Sequence, residues 1–358
     1  MKILFISDLY PVKESEVATP RTLYDFVRCW QILGHEVNVI KPNFLLNSFV
    51  RKKPFYKTGV YNDVHNLNYI TPFWGEVKKK LKGISLGDFD IVIAHMPSGI
   101  LFADKLGVPF VAGVHVSDIE VLTKPLYSIY FRNSLLRALR KAKAIACRSF
   151  VLKEKLLELY PEFADKTFVA PSGIKQAYII SPDFKDIKSQ DLKIITCANF
   201  KKRKNIDKLI LALKGMEGIT LTVVGDGKGR AELEKLDKNV KFIGRLRREK
   251  VLDEMRKNDI FILPSENETF GMVYLEAMAS GCITVCTKND GVDGIIQDSV
   301  NGFLTEPSVE GIQDTVQRIK TCENLGQIRE KSLQTVAKYT DIECARQYLS
   351  SIHNFLFK

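Results

Sequence analysis

The chain reads as an α/β protein made of two doubly wound, Rossmann-like domains, and three observations predict this. Short runs rich in β-branched and aliphatic residues alternate with amphipathic stretches, as parallel sheets covered by helices require. The alternation fills roughly the first 170 residues and then starts again at Leu192-Lys-Ile-Ile-Thr196. With 358 residues, 45% hydrophobic and 27% charged, the sequence can bury two cores of about 170 residues each.

Taken in order, Met1-Lys-Ile-Leu-Phe-Ile-Ser-Asp8 is too short an apolar run for a signal peptide and predicts a first buried strand over 2–7. The loop Glu14-Ser-Glu-Val-Ala-Thr-Pro20 has no glycine and leads into a helix, with Thr19 as N-cap and Pro20 at the first helical position, running to about Leu33. Further strands are expected over 36–41, 90–94, 109–114, 144–147 and 167–170. Asp88-Phe-Asp90 reads as a strand-entry turn. A hinge near Pro171-Ser-Gly-Ile174 divides a first domain, 1–172, from a second, 173–340. Within the second, strands are expected over 192–196, 219–224, 240–243, 259–263 and 283–286.

The most informative stretch is Ser265-Glu-Asn-Glu-Thr-Phe-Gly-Met-Val-Tyr-Leu-Glu276, which follows the buried run Asp259-Ile-Phe-Ile-Leu-Pro264. Strand, loop and helix succeed one another, so Glu268 stands at the mouth of a helix and Glu276 inside it. Backbone N–H groups from Thr269 to Met272 then form a helix N-terminus suited to a phosphate or diphosphate. Gly271 permits close backbone approach, and Ala277-Met-Ala-Ser-Gly281 closes the helix on a glycine. A second cationic loop, Ala198-Asn-Phe-Lys-Lys-Arg-Lys-Asn205, follows the first strand of the second domain.

The run from Asn239 to Pro307 resembles the donor-binding half of the retaining glycosyltransferases of family 4, which have the GT-B fold of two such domains facing across a cleft. Their E-x7-E signature is matched by Glu268 and Glu276, and their "GF" loop by Asn301-Gly302-Phe303-Leu304. The resemblance implies that Glu268 contacts sugar hydroxyls, Glu276 the donor ribose, and Thr269, Phe270, Gly271, Met272 and Val273 the donor near the helix start. Lys204 matches the lysine placed against the diphosphate. Asn199 stands where an arginine is usual, and Arg203 or Lys202 would substitute for it. Gly225-Asp-Gly227 resembles the family's "GDG", and Phe242-Ile-Gly-Arg245 the loop framing the base through Arg245 or Leu246. In the first domain, His115 in His-Val-Ser-Asp-Ile119 resembles the histidine that reaches the reaction centre. Thr19, His95 and Ser149 are expected on the acceptor side. The family's last helix crosses back to the first domain, and 341–358 is the candidate for it.

These assignments imply a hexosyl or related transferase with a nucleotide diphosphate sugar as donor, no cofactor, and no metal, because fixed cations hold the diphosphate. The acceptor would be a glycan or lipid-linked hydroxyl in cell-surface polysaccharide or glycolipid synthesis. Net charge is +11, and residues 1–173 carry 24 Lys and Arg against 16 Asp and Glu. That excess concentrates in Phe49–Lys57 and Phe73–Lys82, around Lys52 and Lys79, where aromatics flank cations as in segments that lie on anionic lipid. Seven cysteines without a C-x-x-C fit reduced core residues of a cytoplasmic protein, here at the inner face of a membrane. The alternatives are a related GT-B enzyme, such as a nucleotide-sugar epimerase or glycan phosphorylase, and a basic nucleic-acid-binding protein. No nucleic-acid motif supports the last, and no nucleic-acid partner is expected.

Overall fold

The computed structural model describes residues 1–13, 21–44, 56–69, 81, 84–125, 129–180, 187 and 190–356. The chain divides into two compact units, one of Met1–Arg148, Leu152–Ser172 and Asp341–Lys358, the other of Ser149–Val151 and Gly173–Thr340.

In the first unit, β1 (Lys2–Ile6), β2 (Glu36–Phe44), β3 (Gly59–Tyr61), β4 (Val64–Tyr69), β5 (Ile91–His95), β6 (Val111–Val114), β7 (Ala144–Cys147) and β8 (Thr167–Val169) form a sheet in the order β3-β4-β2-β1-β5-β6-β7-β8. β3 runs antiparallel to β4, and β1 pairs in parallel with β2 and β5. Apart from Lys2 and His95 at their ends, strands β1, β5, β6 and β7 are apolar because both sheet faces are covered, here by α1 (Thr22–Ile32), α2 (Met96–Leu106), α3 (Val116–Thr123), α4 (Ile129–Lys141) and α5 (Phe150–Leu159). The six strands expected here fall within three residues of those observed. Asp90 closes the turn before β5 by accepting the Lys2 N–H at 2.7 Å.

Two strands escaped the sequence reading for a local reason. β4 reads Val-His-Asn-Leu-Asn-Tyr, without a β-branched run, and its buried Asn66 is satisfied by donating to the Tyr56 and Lys57 carbonyls. The β3–β4 hairpin turns through Asn62 and Asp63, both in the left-handed region (φ 46° and 63°), as a two-residue turn demands. The expected Thr19 cap, Pro20 and the 14–20 loop lie outside the described residues. The described helix α1 begins at Thr22 after Arg21 and ends at Ile32. The basic–aromatic segments around Lys52 and Lys79 also lie outside, apart from Tyr56, Lys57 and Leu81.

In the second unit, β9 (Leu192–Cys197), β10 (Ile219–Val224), β11 (Lys241–Gly244), β12 (Ile260–Leu263), β13 (Ile283–Thr287) and β14 (Phe303–Thr305) form a parallel sheet in the order β11-β10-β9-β12-β13-β14. It is covered by α6 (Ile206–Leu213), α7 (Arg230–Leu236), α8 (Arg248–Met255), α9 (Met272–Ala279), α10 (Val309–Lys320) and α11 (Leu325–Val336). One core, with Phe261, Tyr274 and Met278, fills one side of the sheet, and another, with Ile194, Leu209 and Ile312, fills the other. The three-residue β14 is too short to have shown as a periodic run.

The final helix, α12 (Asp341–Leu356), belongs to the first unit. It packs on α1: the Trp30 indole donates to the Ala345 carbonyl at 3.0 Å, and the Tyr348 ring meets Phe26 and Trp30 edge-on. All seven cysteines are free thiols, five of them buried. No described helix is long and apolar enough to cross a membrane.

Candidate active site

The strand order of the second unit fixes where a ligand can sit. From β9 the chain builds outward through β10 and β11, and from β12 it builds the opposite way through β13 and β14. The carboxyl ends of the adjacent strands β9 and β12 therefore flank a topological switch point, the usual ligand crevice of open parallel sheets. The loops leaving those two ends are 198–205 and 264–271, the two stretches singled out by sequence.

Asn205 ties the loops together. It takes a left-handed conformation (φ 50°) before α6, and its amide donates to the Pro264 carbonyl and the Glu266 carboxylate, each at 2.8 Å. The Glu266 N–H donates to the Arg203 carbonyl at 2.8 Å, while Arg203 Nη1 reaches the carbonyls of Glu266 and Asn267 at 3.2 Å. These bonds bring three charged groups together: Glu268 Oε1 accepts from Arg203 Nη1 at 2.9 Å and from Lys204 Nζ. Burial alone would push the Glu268 carboxyl up, but Lys204 and Arg203 outweigh it and hold it below the usual carboxylate range. Burial lowers the Lys204 ammonium, with Glu268 pulling the other way. Two cations share one carboxylate, which leaves one positive charge for an anionic ligand.

Glu268 and Glu276 are separated by a deliberate bend. Gly271 caps α9 at φ 91°, and a Cβ there would sit 2.6 Å from the Tyr274 ring, so the loop closes tightly onto the helix only with glycine. Tyr274 is pinned in turn: its hydroxyl donates to the Leu263 carbonyl and bonds Ser265 Oγ, both at 2.8 Å. Phe270 is buried, while Thr269, Met272 and Val273 are half-buried at the first turn of α9. One turn on, Glu276 is only 6% exposed, with Arg248 Nη1 of α8 2.5 Å from Oε1. Burial raises the Glu276 carboxyl, against the pull of Arg248. Gly225 follows β10 and donates its N–H to the Gly244 carbonyl at 2.8 Å, which sets it beside the end of β11. Asn199 and Arg245 are exposed and Leu246 half-buried. The loop ends at the switch point thus gather Glu268, Lys204, Arg203 and the start of α9, with Glu276 behind them.

The first unit has its own switch point, between β1 and β5. His95 ends β5 and His115 follows β6. His95 Nδ1 lies 2.9 Å from His115 Nε2, and His95 Nε2 lies 3.0 Å from the Tyr348 hydroxyl of α12. Gly113 makes room for this contact, since a Cβ there would overlap the His95 ring at 2.2 Å. His115 also opens α3 in a reciprocal cap, its ring accepting the Asp118 N–H while Asp118 Oδ2 accepts the His115 N–H at 2.8 Å. The accepting nitrogen carries no proton, so Nε2 of each histidine is assigned the hydrogen, His115 donating to His95 and His95 to Tyr348. Burial, reinforced by Arg148, lowers both imidazoles, His115 to about 3, so both are neutral. His95 is fully buried between His115 and Tyr348. Arg148 is buried as well, donating to the Ala170 carbonyl at 2.6 Å and to Ser172 Oγ, and Ser149 beside it is buried. Thr19 lies outside the described residues.

Among the described residues no cluster of three or more His, Cys, Asp or Glu could hold a metal ion. Sequence reasoning missed Arg248, Asp290 and Tyr348. Each acts on a singled-out residue from another element, and no local pattern announces such a contact.

Residues 180–337 match the family described as "Glycosyl transferases group 1", and residues 19–177 that described as "Glycosyltransferase Family 4". An uncharacterized glycosyltransferase of Methanocaldococcus jannaschii is 25% identical over 310 residues, covering 81% of this chain and 84% of that one. The sulfoquinovosyl transferase of Arabidopsis thaliana is 26% identical over 263 residues, 65% of this chain and 49% of that protein, so the chain spans about half of that relative. Among solved structures, Anabaena HepE in complex with UDP superposes with a TM-score of 0.74 at 19% identity, over 99% of this chain and 100% of that one. That likeness establishes the GT-B fold.

Proposed function

Because this chain belongs to the group 1, family 4 glycosyltransferases, we propose that it moves a sugar, with retention of configuration, from a nucleoside diphosphate sugar to a hydroxyl of a glycan or lipid-linked acceptor. The observation that carries the reading is the convergence, at the β9/β12 switch point, of Glu268, Lys204 and Arg203 with the N-terminus of α9. As the bond from the anomeric carbon to the diphosphate oxygen breaks, negative charge grows on the leaving group. Lys204, Arg203 and the helix N–H groups would stabilise it electrostatically. The acceptor oxygen bonds to the same face of that carbon, and its proton passes to the departing diphosphate. Glu268 would orient sugar hydroxyls and Glu276 the ribose, so neither carboxyl has to flank the scissile bond as in glycoside hydrolysis. UDP in the HepE structure makes a uridine nucleotide the first donor class to test.

A thermal-shift panel of UDP-, GDP- and ADP-sugars is the direct experiment. A true donor at 100 times its dissociation constant should stabilise the protein by roughly 2.7 kcal/mol. Product formed from that donor should keep the anomeric configuration and persist in EDTA. No stabilisation by any nucleotide sugar would sink the donor reading. Turnover lost in EDTA and restored by manganese would overturn the electrostatic role given to Lys204 and Arg203.

A further inference from the structure

We propose that Asp290 is a positioning residue for the donor sugar, acting through Glu268. The inference rests on the donor-site reading above and goes beyond it, because Asp290 lies in the turn after β13, outside both loops of the switch point. Its carboxylate receives the Glu268 N–H at 3.1 Å on Oδ1 and 3.2 Å on Oδ2, and Oδ1 also receives the Gly291 N–H at 3.0 Å. The turn is shaped to deliver it. Asn289 and Gly291 are both left-handed (φ 56° and 54°), and the Asn289 N–H is fixed on Asp293 Oδ2 at 2.6 Å. A Cβ on Gly291 would sit 2.9 Å from the Phe270 carbonyl and 3.2 Å from the Glu268 Cβ, so the turn packs directly on the loop that carries Glu268.

The Glu268 loop needs such a brace. It belongs to neither a helix nor a strand, and Asn267 within it is left-handed at φ 59°. Arg203 holds the carbonyls of 266 and 267, and Arg203 with Lys204 holds the Glu268 carboxylate. Asp290 holds the N–H of Glu268 itself. Side chain and main chain of Glu268 are thus fixed from two different loops, and only 8% of Asp290 is exposed. Removing this acceptor frees the backbone on which Glu268 is aimed, and a shift near 1 Å at such a group costs about a hundredfold in rate. Glu276 and α9 keep their own contacts, so nucleotide binding should survive.

The test uses calorimetry with UDP-glucose as a hexosyl donor and UDP as its sugar-free control. Asp290→Ala should weaken UDP-glucose about tenfold and leave UDP within twofold. Asp290→Asn should restore most of the difference, because one amide oxygen can still accept from both Glu268 and Gly291. Adding Asp290→Ala to Glu268→Ala should change UDP-glucose affinity no further, since a residue that works through another has no effect once that one is gone. If Asp290→Ala does not fold, Asp290→Glu, which keeps the charge and displaces the acceptor by a methylene, takes its place with the same expectation. Equal weakening of UDP and UDP-glucose, or additive losses in the double variant, would overturn the inference alone. Wild-type protein that binds UDP but not UDP-glucose would overturn it for a hexosyl donor, and wild type that binds neither would overturn the uridine donor reading as well.

Discussion

At the scale of single residues, the candidate site is a problem of charge kept where water is scarce. Glu276 is nearly buried, and Arg248 across from it is 47% exposed at its side chain, so the pair is held from one side only. Burial raises the Glu276 carboxyl while Arg248 draws it back, and a ligand offering hydroxyl donors would gain from a carboxylate already stripped of water. Glu276→Ala should therefore weaken nucleotide affinity about tenfold or more, the scale of a hydrogen bond to a charged group; unchanged UDP binding by calorimetry would remove this role. Lys204 stands differently, because its charge is shared with Arg203 on one carboxylate. Lys204→Ala should lower turnover by about two to three orders of magnitude, as for loss of one charge-stabilising donor. A loss of tenfold or less would assign the diphosphate to Arg203 or Lys202. Glu268, Glu276 and Lys204 were legible in the sequence because each sits at a fixed offset from the end of an apolar strand. Arg248 and Asp290 were not, because only the packing of α8 on α9 and of the β13 turn on the Glu268 loop brings them into reach.

Among elements, the strands of the two central sheets could be read from their apolar runs, whereas β3, β4 and β14 could not, being short or polar. The histidine pair shows what element packing adds to a legible residue. His95 and His115 could be placed at strand ends, but their state follows from α12, whose Tyr348 is 253 positions from His95 in sequence. Both imidazoles are depressed from 6.5, so the unfolded chain binds more protons than the folded one once the pH falls below about 6.5. Their contribution is complete above that pH and is lost as the pH falls toward about 3 for His115. Burial moves Asp118 the opposite way, against the bond from the His115 N–H, and its raised carboxyl favours the folded state as the pH falls. Two histidines against one carboxyl leave acid destabilisation in this cluster. His115→Asn removes one titrating ring, so its stability deficit relative to wild type should shrink by about 1.4 kcal/mol per pH unit below pH 6.5. A gap in urea unfolding that stays constant from pH 8 to pH 5 would show that the ring titrates normally.

For the molecule as a whole, charge asymmetry is the feature with the widest consequence. Residues 1–173 hold +8 of the net +11 charge, and the eight basic residues at 51, 52, 53, 57, 78, 79, 80 and 82 account for much of it. All but Lys57 lie outside the described residues; in composition, aromatic side chains interleaved with cations suit a headgroup layer. No described helix is long and apolar enough to cross a bilayer. If each cation near an anionic surface contributes about 1 kcal/mol, half of the eight would hold the protein there reversibly. Binding to vesicles should require anionic lipid and fade as salt shortens the Debye length, and Trp74 fluorescence should shift to the blue if the ring enters the interface. Changing Lys78, Lys79, Lys80 and Lys82 to Ser should release the protein from vesicles and leave UDP affinity unchanged, because the candidate donor site is built wholly from the second unit. Equal sedimentation of wild type and quadruple variant would clear these lysines of the role. Wild type that stays in solution at low salt would instead turn the search for an acceptor toward soluble glycans.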